Sequence, residues 1–133
     1  MIRRIHHIGI AVEDLADARR FFEDNFQLQS SEHESFGELD FSFIPMEGAA
    51  LEILQSTTEQ GVMTKFIKKR GPGVHHITFE VDDIQTELAH LKRKGITLIN
   101  EQPYRNAHDE LVAFIHPKST YGILIELLQT RSR

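Results

Sequence analysis

The sequence predicts an α+β fold of two tandem βαβββ modules, and three observations carry that prediction. The chain repeats itself: His6, His7, Ile8, Val12 and Asp14 recur as His75, His76, Ile77, Val81 and Asp83, at an offset of 69 residues. Each copy opens on period-two alternation of apolar residues and passes straight into helical spacing. Each half then closes on an apolar run with a single glutamate inside it, ALEILQ and ILIELLQ.

Taken in order, Ile8, Ile10 and Val12 form one face of the first strand, and Ile5, His7, Gly9 and Ala11 the other. Asp14 is placed to cap a helix, because a short carboxylate accepts from the free N–H groups of a first turn. Leu15, Ala18, Phe21 and Phe22 then fall at helical spacing. LDFSFIP and GAALEILQ read as two strands joined by MEG. A helix near residues 60–70, with Val62, Phe66 and Ile67 on one stripe, is broken by Gly71-Pro72-Gly73. It joins the modules, about 4–56 and 72–129, into one domain. In the second module Ile77, Phe79 and Val81 alternate, and Asp83 caps. Ile84, Leu88 and Leu91 follow at helical spacing, and Gly95 ends the run. ITLIN, ELVAFIHP and YGILIELLQ read as strands, and the final TRSR as a frayed tail. One module leaves a sheet face bare, and the second copy is the natural cover.

Composition limits the possible functions. The 133 residues fit one domain, and 40% hydrophobic with 26% charged residues is a globular balance. A net charge of −5 argues against nonspecific nucleic-acid binding, which needs a basic stripe. With no cysteine, disulfides and thiolate metal sites are out. No stretch is long and apolar enough to span a bilayer, and MIRRIHHIG lacks a signal peptide's apolar core, so a cytoplasmic protein without membrane partners is expected.

The chemistry lies in four residues. His7 and His76 fall on the less apolar face of their strands. Glu52 and Glu126 sit inside apolar runs, where a carboxylate is costly to bury unless it is paired, protonated or bound to metal. A lone histidine or glutamate on a strand is more often a rim or surface residue. Here the pattern occurs twice, 45 residues from His7 to Glu52 and 50 from His76 to Glu126. Two imidazoles and two carboxylates suit a divalent ion such as Zn, Mn, Co, Ni or Fe.

HHIGIAVEDL, KFIKKRGPGVHHITFEVDDI and VAFIHPKSTYGILIELL resemble the vicinal oxygen chelate superfamily, and within it the methylmalonyl-CoA epimerase branch, over roughly residues 4–129. The resemblance implies a half-barrel cleft formed by the two sheets around a metal held by His7, Glu52, His76 and Glu126. It further implies an acyl-CoA substrate, a homodimer, and catalysis by Glu126 with a second carboxylate, Asp40 or Glu38. Where the epimerases have Pro-Glu-(Gln/His)-Gly-Val, this chain has Glu34-Ser35-Phe36-Gly37-Glu38. Lys118 and Ser119, in the loop before the last strand, are candidates to touch substrate carboxylate or CoA, and a solvated turn would account for them equally well. Lys65, Lys68, Lys69 and Arg70 form a basic run that would attract phosphates or simply face water. Other readings are a glyoxalase-type lyase or another metal-dependent enzyme of the superfamily, and a non-catalytic antibiotic-binding protein.

Overall fold

Strand β1 (Ile2–Ala11) and helix α1 (Leu15–Phe26) open the chain. Then come β2 (Glu34–Phe36), β3 (Leu39–Pro45), β4 (Ala50–Ser56) and α2 (Val62–Arg70). The second half runs β5 (Gly73–Val81), α3 (Ile84–Arg93), β6 (Tyr104–Arg105), β7 (Leu111–Ile115), a 3-10 turn at Pro117–Ser119, and β8 (Ile125–Gln129). This computed structural model describes residues 1–131; of the expected tail, residues 132–133 lie outside the described residues. The α+β class holds, and each half has one strand, one helix and three further strands. By their contacts the residues form two compact units, 7–75 and 1–6 with 76–133.

In the unit of residues 7–75 the strand order is β2-β3-β4-β1, with β1 and β4 parallel. Helix α1 starts where the sequence places it: the Asp14 carboxylate accepts from the Asp17 N–H at 3.0 Å. Leu15 seats the helix against Ile44 and Ile53, with Val12, Ala18 and Phe22 around them. The opposite sheet face carries Ala11, Phe41 and Leu54, packed with Met63 of α2. One expectation changes here. Val62 is exposed at the helix start, and the buried residue is Met63 beside Phe66 and Ile67. The face bearing His7, Gly9 and Ala11 is packed core at its Ala11 end, because α2 lies over it.

In the other unit the order is β5-β8-β7-β6, with β5 and β8 parallel. Asp83 caps α3 through the Thr86 N–H at 3.3 Å. Ile84 and Leu88 bury against Val81, Ala113, Ile115, Ile125 and Leu127. The run ends at Gly95, whose φ of 82° lies in the left-handed region that glycine enters without strain. The segment ITLIN is not a strand: Leu98 makes one bridge to Ile115, and Ile96 and Leu98 pad the core. The Ile99 and Asn100 N–H groups both donate to Phe114 O, and the Asn100 side chain accepts the Phe114 N–H. An amide side chain replaces the ladder there. The short strands β2 and β6 are too brief to show apolar alternation.

Candidate functional site

Strand register shows how each unit builds a matching pair. In β1 and β4, Gly9 stands opposite Glu52, which brings Glu52 beside His7. His7 Nε2 lies 3.1 Å from Glu52 Oε1, and their side chains are 4% and 12% exposed. In β5 and β8, Thr78 stands opposite Glu126. His76 Nε2 lies 3.6 Å from Glu126 Oε1, at 5% and 10% exposure. So each half sets its second histidine beside its closing-strand glutamate. A buried imidazole beside a buried carboxylate offers one nitrogen and one oxygen donor, the chemistry that first-row divalent ions take.

The duplication goes further than the sequence repeat showed. Phe43 stands opposite Glu52, and Phe114 opposite Glu126. Each phenylalanine meets its own histidine edge-on, with ring centroids 5.5 Å apart for His7–Phe43 and 6.0 Å for His76–Phe114. These rings wall the imidazoles and keep water off them. The fixed offset missed the pair because histidine and phenylalanine are 36 residues apart in the first half and 38 in the second. A second duplicated device was legible in LEILQ and IELLQ. Gln55 Oε1 accepts the Leu15 N–H and Gln129 Oε1 accepts the Ile84 N–H, each at 2.8 Å. Each closing strand thereby caps the helix of its own half, on the face opposite the glutamate.

The other expected residues lie elsewhere. Asp40 shares parity with Ser42 and Ile44, on the α1 side of the sheet, whereas Phe43, Glu52 and His7 are on the other side. Its carboxylate accepts from Ser35 Oγ at 2.7 Å and lies 3.3 Å from Nε2 of the exposed His33. The Ser35 hydroxyl, with His33 behind it, holds Asp40 below the usual carboxylate range. Glu38 lies in the turn before β3, and a Cβ on Gly61 would meet its Oε2 at 2.2 Å and Ser56 at 2.4 Å. That places the Glu38 carboxylate at the Ser56 end of β4, four residues, or about 13 Å of strand, from Glu52. Lys118 is exposed, and its N–H donates to His116 Nδ1 at 3.0 Å; Ser119 Oγ accepts the Thr97 N–H at 3.0 Å. The basic run of α2 is exposed, with the Arg70 guanidinium 5.8 Å from the centre of the Phe66 ring.

Two residues to which the sequence reading gave no role share the Glu126 face. Thr78, fully buried, donates from Oγ1 to Glu126 Oε1 at 2.6 Å. Tyr104 stands opposite Val112, itself opposite Leu128, which puts it on that face too. Although Tyr104 is 43% exposed, desolvation of the covered part of its ring first, and the charge of Glu126 second, hold its hydroxyl above the ordinary tyrosine value.

Residues 6–114 match the model of the Glyoxalase/Bleomycin resistance protein/Dioxygenase superfamily. The chain belongs to that superfamily. The human mitochondrial methylmalonyl-CoA epimerase is 34% identical over 129 residues, covering 95% of this chain and 73% of the relative. An ethylmalonyl-CoA/methylmalonyl-CoA epimerase of Cereibacter sphaeroides is 32% identical over 133 residues, covering 97% of this chain and 99% of the relative. A solved structure of a methylmalonyl-CoA epimerase in complex with methylmalonyl-CoA and NH4+ superposes with a TM-score of 0.93 at 27% identity, covering 99% of this chain and 97% of that one. The chain therefore has the glyoxalase fold of these epimerases. Among the described residues no helix is long and apolar enough to cross a membrane.

Proposed function

We propose that this protein is a metal-dependent epimerase that interconverts the two configurations of methylmalonyl-CoA. One observation carries the reading: a buried histidine beside a largely covered glutamate occurs once in each half, at equivalent register. Epimerases similar along nearly the whole chain supply the substrate class. His7, Glu52 and His76 are donors of the kind a metal ion takes, and Glu126 completes the set as the twin of Glu52. In this reading all four serve one divalent ion. When bound, such an ion acts as a Lewis acid that stabilises developing enolate charge by several kcal/mol.

The reaction asks the protein to move a proton. The carboxylate of Glu126 takes the α-hydrogen, and the electron pair of the C–H bond passes into the thioester as an enolate. Solvent water returns a proton to the opposite face, which re-forms the C–H bond with inverted configuration, and Glu126 passes its own proton to solvent. Glu126 suits the first step because it is held on a strand among apolar neighbours, which fixes its position. Asp40 and Glu38 do not share the His7–Glu52 part of the sheet, so we assign proton removal to Glu126 alone. Lys118, exposed in its loop, is the side chain we assign to attracting the negatively charged CoA. A homodimer in the cytoplasm completes the reading, and light scattering tests the dimer.

The decisive experiment is incubation of the purified protein with one epimer in deuterated water. The expected outcome is deuterium at the α-carbon together with loss of optical purity. Absence of exchange with the ion present would remove the epimerase reading and leave a lyase or a binding protein of the same superfamily.

A further inference from the structure

The two halves match in histidine, glutamate, phenylalanine and glutamine, and differ at the residue facing the glutamate. In β1 that residue is Gly9, with no side chain; in β5 it is Thr78. The carboxylates are accordingly held differently. Glu52 Oε1 lies 3.1 Å from His7 Nε2. Glu126 Oε1 lies farther from its histidine, at 3.6 Å, and takes the Thr78 hydroxyl at 2.6 Å. That length falls in the range of a charge-assisted O–H···O⁻ bond. Both residues are buried, Thr78 completely, so bulk water does not compete for the bond.

The terminal torsion of a glutamate is soft, and a carboxylate held by its stem alone samples a broad range of orientations. A short hydrogen bond to one oxygen fixes the carboxylate plane. Proton abstraction from carbon is sensitive to that plane, since misplacement by about 1 Å costs roughly a hundredfold in rate. Threonine's χ1 is stiff on a strand, so its hydroxyl is a rigid anchor.

We propose that Thr78 is the positioning residue that orients Glu126 for proton transfer and so makes the twin glutamates unequal: Glu126 moves the proton, and Glu52 stays with His7. This rests on the epimerase reading above. Thr78 acts through Glu126 and does not itself touch substrate.

The test compares Thr78→Val, Thr78→Ala and Thr78→Ser with the unaltered holoprotein by α-hydrogen exchange, with thermal unfolding and elemental analysis alongside. Losing a hydrogen bond to a charged group is worth about tenfold or more. The expected result is kcat lower by about that factor in T78V and T78A, with KM within about twofold and metal content unchanged. T78S returns kcat to within about threefold. T78A carries the comparison if valine disturbs folding. Full turnover in T78V and T78A overturns the inference, as does a T78S protein as slow as T78A. A loss that tracks loss of the ion overturns it as well. If the unaltered protein exchanges no hydrogen, the epimerase reading and this inference fall together; if it does exchange and the variants match it, only the inference falls.

Discussion

At the residue scale, burial and parity decide which charged groups can do chemistry. His7 and Glu52 are neighbours because a parallel register sets Gly9 opposite Glu52 and leaves room for both side chains. Asp40 shows the converse. One residue away from Phe41, it points to the other side of the sheet, where Ser35 and His33 keep it ionised. Its depressed value ties it to acid stability. A carboxyl whose folded value is lowered contributes stability that is present above its unfolded value, near ~4, and lost as pH falls through the folded one. Asp40→Asn should therefore flatten the acid limb of a stability curve below about pH 4, as urea midpoints at stepped pH would show. An unchanged limb would mean that the Ser35 and His33 contacts do not persist in solution.

At the element scale, each closing strand serves two faces at once. The glutamate of LEILQ or IELLQ faces the histidine, and the glutamine three residues on reaches round the other side to a helix N-terminus. The first N–H groups of a helix have no partner within it, so an accepting side chain there stabilises by about 1 kcal/mol. Gln129→Ala should lower unfolding free energy by about that much, Gln55→Ala likewise, and the double variant by about their sum, because the two act on separate helices. Chemical denaturation measures all three. Strands β3 and β4 and the caps Asp14 and Asp83 were legible from alternation and short carboxylates. Strands β2 and β6 were not, since a two- or three-residue strand has no periodicity to read. ITLIN alternates like a strand and fails to be one because Asn100 takes the Phe114 N–H that a ladder would need.

At the scale of the whole molecule, the duplication predicts how many ions the chain holds. Two His–Glu pairs serving one ion give a stoichiometry of one per chain, and pairs acting separately give two. Elemental analysis of chelator-free protein separates these. His7→Ala should abolish binding at the one-ion site, whereas with two sites it would leave one ion bound. A ligand that binds only the folded state adds about 2.7 kcal/mol at a hundredfold excess over its dissociation constant, so chelation should lower the melting temperature by several degrees and added divalent ion should restore it.

By itself the sequence determined the repeat, the α+β class, the helix starts and the choice of two histidines and two closing-strand glutamates as candidates. These follow from local rules: strand parity, helical spacing, and the free-energy cost of a carboxylate in an apolar run. Only the tertiary structure decided that Phe43 and Phe114 wall the imidazoles, that Asp40 faces the α1 side, and that Thr78 grips Glu126. Those facts depend on which residue of one strand stands opposite which residue of another. Loop lengths and cross-strand hydrogen bonds set that register, and no single segment encodes it.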